Sequence, residues 1–178
     1  MAKLKILHFP DSRLRQKCPK VEVFDTNLEK VVEDMLETMY AENGIGLAAI
    51  QVNIIKRIIV IDISPDRNEP LILINPEIQD KKNEIEFEEG CLSVPGFYEK
   101  VNRYNNITFK AQLPNGEFYT RDVDGLLAVC VQHEIDHLNG KLFVDYISSL
   151  KRDRIAKKIQ KLEAEGKKFE RKNVPYSI

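Results

Sequence analysis

The sequence predicts an α+β fold: short, mostly antiparallel strands wrapped around a central helix, with one further helix toward each end. Three observations predict it. Helical periodicity occurs in three separate stretches, and the β-branched runs between them are short and broken by Pro or Asn-Gly. Helix and strand also fail to alternate in the regular way that a doubly wound parallel sheet requires. With 178 residues, 43% of them hydrophobic, and a net charge of −1, the chain has material for one core and does not resemble a disordered polymer. It reads as a single-domain chain, with a body over 1–147 and a basic helix and tail over 148–178.

The first helix is expected to start at Thr26, with Glu29 three residues on completing a capping box. Leu28, Val31, Val32, Met35, Leu36, Met39 and Tyr40 then recur at i, i+3, i+4 spacing, and Asn43-Gly44 ends the run. Stretches 57–63 and 71–75 are rich in Ile and close at turns containing Pro65 and Pro76, so both read as strands. Stretches 107–111 and 118–121, joined through Pro114-Asn115-Gly116, read as a hairpin. The second helix runs from Asp124 or Gly125 to Leu138 and ends at Asn139-Gly140. The third begins near Ser148-Ser149, turns Leu150, Ile155, Ile159 and Leu162 inward, and stops near Gly166.

Several classes are excluded. The longest unbroken apolar run, 126–131, has six residues where a membrane span needs about 20. Lys3 and Lys5 precede an apolar stretch too short for a secretory signal, so a cytoplasmic protein without membrane contact is expected. Cys18, Cys91 and Cys130 are odd in number and form no C-x-x-C, which is no disulfide framework. No G-x-x-x-x-G-K-[ST] supports a nucleotide site. Stretch 151–172 holds ten basic and four acidic residues, a local +6 on an otherwise acidic chain. Such a helix is either a solvated surface or a docking face for a polyanion.

The chemistry is concentrated in His133-Glu134-Ile135-Asp136-His137, an H-E-x-x-H string inside the second helix. Spacing of four puts both imidazoles on one face, one turn apart, within reach of a single metal ion. Glu134 projects from the adjacent arc, where it contacts a metal-bound water without being a ligand. The metal lowers the pKa of that water and the carboxylate takes its proton. Two imidazoles leave a catalytic site one protein ligand short. Cys130 lies almost on the line of His137 but about 10.5 Å along the helix axis, so the two cannot surround one ion. Cys91, in the bounded stretch Glu89-Gly90-Cys91-Leu92-Ser93-Val94-Pro95-Gly96, is the better third ligand. Leu126 and Cys130 share the arc of the histidines and Glu134, giving an apolar floor beside the metal for an unbranched side chain.

Three strings in order, Gly44-Ile45-Gly46-Leu47-Ala48-Ala49-Ile50-Gln51, Glu89-Gly90-Cys91-Leu92-Ser93 and Gln132-His133-Glu134-Ile135-Asp136-His137-Leu138, resemble the bacterial peptide deformylase family over nearly the whole chain. The resemblance implies removal of the formyl group from the N-terminal formylmethionine of nascent chains, releasing formate. By motif position it implies Cys91, His133 and His137 as metal ligands and Glu134 as general acid/base. Gln51 and the backbone N–H of Leu92 hold the oxyanion. Ile45, Gly46 and Gly90 line the peptide groove, and Leu126, Val129 and Cys130 form the methionine pocket. Glu89 and Arg103 form a structural ion pair. Tyr98 departs from relatives that carry arginine near the peptide. The resemblance implies Fe(2+) in the cell, with Zn(2+), Ni(2+) or Co(2+) as substitutes, at a thiolate site of net charge +1 that is easily oxidised. It also implies a monomer whose basic terminal helix docks on the ribosome. On this reading 1–147 is the catalytic unit, and removal of 151–178 spares hydrolysis of small substrates.

Two rivals use the same residues. An H-E-x-x-H metallopeptidase normally takes a third His or Glu, and the one remaining histidine, His8, stands outside any motif and reads as structural or surface. A metal-stabilised RNA-binding module closes its site with four protein ligands, and three are found here.

Overall fold

The structure, a computed structural model, describes residues 2–169. Helix α1 spans Thr26–Ala41, α2 Gly125–Leu138 and α3 Ser149–Ala164. Strands β1 (Gly46–Ala48), β2 (Ile58–Ile61), β3 (Leu71–Glu89), β4 (Glu99–Gln112) and β5 (Phe118–Asp124) form one five-stranded sheet in that order. Every neighbouring pair is antiparallel. The α+β expectation holds. No helix among the described residues is long and apolar enough to cross a membrane.

The sheet is covered on both faces where it is most apolar. In β2, Ile58 and Val60 pack in the cluster of α1 with Leu28, Met35 and Met39, while Ile59 and Ile61 pack toward α2 with Ala128, Val129 and Leu138. Burial on both sides is why this strand reads as an unbroken apolar run rather than an alternating one. A third cluster joins the N-terminal segment to α3, through Leu7, Phe9, Leu14, Phe143, Ile155 and Ile159.

Three local expectations need correction. The cap of α1 is Asp25, whose extended backbone lets its carboxylate accept the Leu28 N–H at 3.0 Å; Thr26 is the first helical residue. The strand expected to close at Pro76 runs on to Glu89. Register shifts between Ile74 and Glu77 and between Ile78 and Asp80 place the proline inside an irregularity where it owes the ladder no donor. Leu150 is 61% exposed, because at 100° per residue it lies about 140° around the helix from Ile155.

Ile155 and Ile159 are both buried, so α3 belongs to the core of the body. Truncation at 151 therefore uncovers apolar surface, contrary to the idea that this helix is dispensable. Ile159→Ala is expected to lower unfolding stability by about 2–4 kcal/mol, read by denaturant titration.

Candidate metal centre

Helix α2 is buried along most of its length, which lets a short run of side chains face one another in a water-poor space. Its two imidazoles approach with Nε2 atoms 3.1 Å apart. Cys91, in the turn after β3, brings its Sγ to 3.3 Å from His137 Nε2. The three donor atoms all lie within 4.8 Å of one another, and all three side chains are buried. Sulfur from one segment and nitrogens from another converge on one point, the arrangement that a single tetrahedral cation requires.

Neighbouring groups fix each donor. His133 Nδ1 lies 2.8 Å from Glu89 Oε2, which orients the ring so that Nε2 faces the other donors. Glu89 is fully buried and is gripped by Arg103, Nε to Oε1 at 2.6 Å and Nη2 to Oε2 at 3.0 Å. The Ser93 N–H donates to Cys91 Sγ at 3.3 Å, and the Gln51 Nε2 amide approaches the same sulfur at 3.6 Å. Gln51 itself is held by the Ala48 N–H, which donates to its Oε1 at 2.8 Å, so the NH2 end is turned toward the sulfur and Ser93.

Charge follows from these contacts. Burial pulls the His133 pKa down, but the Cys91 sulfur and the Glu89 carboxylate outweigh it and hold the imidazole well above its usual value. Burial, with the charges of His133 and Arg103, drives His137 well below. The two rings are thus pushed in opposite directions, His133 toward the charged form and His137 toward the neutral one, with their Nε2 atoms 3.1 Å apart. Two neutral rings and a thiolate would hold a divalent cation where the three donors converge, so Cys91, His133 and His137 fit a metal.

Glu134 is the exceptional group. It is 1% exposed, and neither carboxylate oxygen makes a hydrogen bond of good geometry among the described residues, although the Ala48 amide exerts a weak pull. Burial and the charge of Glu89 push its pKa up to about 7, against the opposing charges of His133 and Arg103. A carboxyl group kept unsatisfied in an apolar site is costly, and its pKa is that of a proton carrier at neutral pH.

The remaining candidates surround these groups. Gly46 sits against α2 so closely that an added Cβ would lie 2.5 Å from Glu134 Oε1 and 2.8 Å from Cys130 Sγ. Both side chains therefore occupy the arc that the helical wheel assigns them. Cys130 is fully buried, its thiol pushed well up by burial and by the charge of Glu134, and it lies outside the donor group. Val129 is buried beside it and Leu126 is half-buried at the edge. The Ile45 carbonyl accepts the Asp62 N–H at 2.8 Å, and Gly46 pairs opposite Ile61. By antiparallel alternation the polar groups of Gly46 then face the outer, unpaired side of β1. Tyr98 crosses Gly90, where an added Cβ would lie 2.6 Å from its ring. Leu92 is buried between Cys91 and Ser93 with its side chain against Gly44. His8 stands apart from the donors, with Nδ1 2.8 Å from Glu163 and its ring edge-on to Phe169.

Sequence reasoning did not find Ser93 as a partner of the sulfur, the carboxylate of Glu89 on His133, or Asp136 and Tyr146 beyond Arg103. Glu89 and Asp136 lie inside the motif strings, which is a usable signal. Nothing in the spacing points to Tyr146.

The polypeptide deformylase family profile matches residues 3–153. A curated peptide deformylase of Hahella chejuensis is 56% identical over 162 residues, covering 90% of this chain and 96% of that one. The crystal structure of a peptide deformylase from Legionella pneumophila has a TM-score of 0.88 and 48% identity, covering 93% of this chain and 98% of that one. One from Ehrlichia chaffeensis, solved in complex with actinonin, has a TM-score of 0.88 and 40% identity over 92% of this chain and 99% of that one. The chain therefore belongs to the polypeptide deformylase family of metal-dependent hydrolases, which remove the N-formyl group from newly made polypeptides.

Proposed function

We propose that Cys91, His133 and His137 hold one divalent cation and that Glu134 is the general acid/base of formyl hydrolysis. The observation that carries this is the convergence of three buried donors beside a buried carboxylate whose oxygens find no hydrogen-bond partner of good geometry among the described residues. When bound, the cation lowers the pKa of a coordinated water and polarises the formyl carbonyl. Fe(2+) is the cellular metal, and Zn(2+), Ni(2+) or Co(2+) are substitutes, since thiolate and imidazole accept all four.

The chain's own groups do the rest. The formylmethionyl peptide adds to the free edge of β1 through the backbone of Gly46, with Ile45 and Gly90 lining the groove. Its unbranched side chain enters the apolar pocket of Leu126, Val129 and Cys130. Gln51 Nε2 and the Leu92 N–H take the negative charge that develops on the formyl oxygen. Glu134 accepts a proton from the attacking water as its oxygen bonds to the formyl carbon. It returns that proton to the amine nitrogen as the C–N bond breaks, leaving formate and a free N-terminus.

Gly46→Ala tests the packing of Glu134. A methyl group there must displace the carboxylate, and kcat/KM is expected to fall about 10²-fold with metal content unchanged.

Within this reading 1–147 carries the catalytic residues and 148–178 is a basic helix and tail of the same single-domain chain, of which 170–178 lie outside the described residues. The protein acts as a cytoplasmic monomer that docks on the ribosome through α3. Arg154, Lys157, Lys158 and Lys161 are exposed along that helix, which supports the docking. Because Ile155 and Ile159 are buried, charge reversal is the cleaner test than truncation. Arg154→Glu with Lys157→Glu is expected to weaken low-salt co-sedimentation with ribosomes while leaving formate release intact; unchanged co-sedimentation removes the docking.

The direct assay of the whole reading is formate release from a formyl-Met peptide by protein purified without oxygen. One iron per chain, loss of turnover in chelator and recovery with Fe(2+), Zn(2+), Ni(2+) or Co(2+) are expected. Cleavage of internal peptide bonds without formate, or full turnover in chelator, contradicts it.

A further inference from the structure

The turn Phe143–Tyr146, between α2 and α3, touches the surroundings of one imidazole at two places. At its start, the fully buried Phe143 ring stacks on the face of His133, with centroids 6.5 Å apart and planes at 26°. At its end, the Tyr146 O–H donates to Asp136 Oδ2 at 2.8 Å. The same oxygen accepts Arg103 Nη1 at 2.6 Å, and Arg103 holds both oxygens of Glu89, which in turn holds His133 Nδ1. The Tyr146 ring also lies under the Arg103 guanidinium, 5.0 Å from its central carbon.

We propose that Tyr146 is a positioning residue for the metal centre, setting the orientation of His133 through Asp136, Arg103 and Glu89. The inference rests on the reading of His133 as a metal ligand. Its physical basis is the fixed fork of the guanidinium. Arg103 satisfies Glu89 with both donors on one edge and has one Nη1 contact left to define its rotation about the long axis. That contact is Asp136, and Asp136 shares its accepting oxygen with Tyr146. Tyr146 thereby anchors the outer end of a chain whose inner end is an imidazole nitrogen. Its own side is half exposed, so the chain runs from solvent to the cation site, with Phe143 from the same turn closing the ring's face. Carboxylate partners of ligating histidines are known to matter at the level of metal affinity, and here that partner is itself held from outside.

Tyr146→Phe keeps the ring under Arg103 and removes only the hydroxyl; Tyr146→Ala removes both. The full chain is loaded with Co(2+), and two quantities are read: its visible absorption and the rate at which it loses metal to excess chelator. Tyr146→Phe is expected to release Co(2+) about 3- to 10-fold faster with shifted ligand-field bands, and Tyr146→Ala faster still, approaching the 10- to 100-fold range of direct outer partners. Leu28→Ala is the control for general loosening, because it removes core packing from α1, in a cluster that holds neither Phe143 nor Cys91. It is expected to lower the unfolding midpoint and leave both readings as in the wild type. A wild-type release rate and spectrum in Tyr146→Phe overturns the proposal, as does release in Leu28→Ala that rises in step with its loss of stability. Absence of a sulfur-to-cobalt band in the wild type overturns the ligand set beneath it, and is distinguishable because it appears before any change at Tyr146.

Discussion

Replacing Glu134 with Gln is expected to lower kcat for formate release by about 10²- to 10⁴-fold while the protein keeps its cation. The change preserves the shape of the side chain and removes its capacity to carry a proton. The same substitution should stabilise the metal-free protein, because the carboxylate is buried without a hydrogen-bond partner of good geometry among the described residues. The sign follows from its pKa, raised from 4.5 to about 7 by burial, with the charge of Glu89 adding to the effect. A raised carboxyl pKa means that the folded state binds more protons than the unfolded one between these values, so folding weakens as pH rises through them. Glu134→Gln removes that penalty. Its stability advantage over the metal-free wild type should be absent below about pH 4.5, grow up to about pH 7 and then stay constant. Urea titrations of the two proteins across that range check it, and a flat difference contradicts the assignment.

Cys91→Ser is expected to abolish stoichiometric metal retention, and Cys130→Ser to leave it intact. Both sulfurs are buried, and both lie close to the reacting groups, so burial does not separate them. Geometry does. Cys91 Sγ faces the two imidazoles and receives the Ser93 N–H, whereas Cys130 Sγ lies against Gly46, one turn back along α2 from Glu134. Loss of a ligand should exceed the roughly 10- to 100-fold that changes to outer partners produce. Serine offers a harder and more weakly held oxygen to a site otherwise built for a soft or borderline cation. Cys130→Ser instead places a hydroxyl in the apolar pocket, and its expected effect is on KM for the methionyl substrate. Metal analysis after gel filtration separates the two outcomes.

The helix of the H-E-x-x-H string was legible because its signal is local. The spacing of His133 and His137 needs only a helix, and the run from Gly125 to Leu138 is bounded by turn residues on both sides. Exclusion of Cys130 as a ligand was likewise a matter of helical geometry, and the structure puts that sulfur away from the donors. Cys91 came from a different source, since its place beside α2 depends on a long-range contact that elimination and the family motif suggested and that periodicity does not encode. The long ribbon of β3 and β4 escaped notice because its outer half is largely charged and solvent-exposed, with Ile85 and Phe87 too sparse to show alternation. The inward face of α3 was legible at Ile155 and Ile159 and misread at Leu150, where an apolar residue in the first turn simply faces solvent. Least legible was the route from Tyr146 to His133, because each of its links joins residues from different elements.

The proposed centre is one cation bound by one sulfur and two ring nitrogens of this chain. X-ray absorption at the metal edge of the Zn(2+)-loaded protein tests it most directly. One sulfur scatterer at about 2.3 Å and two nitrogen scatterers at about 2.0–2.1 Å are predicted, with the sulfur lost in Cys91→Ser. A shell of nitrogen and oxygen alone in the wild type, or a sulfur that survives in Cys91→Ser, contradicts it.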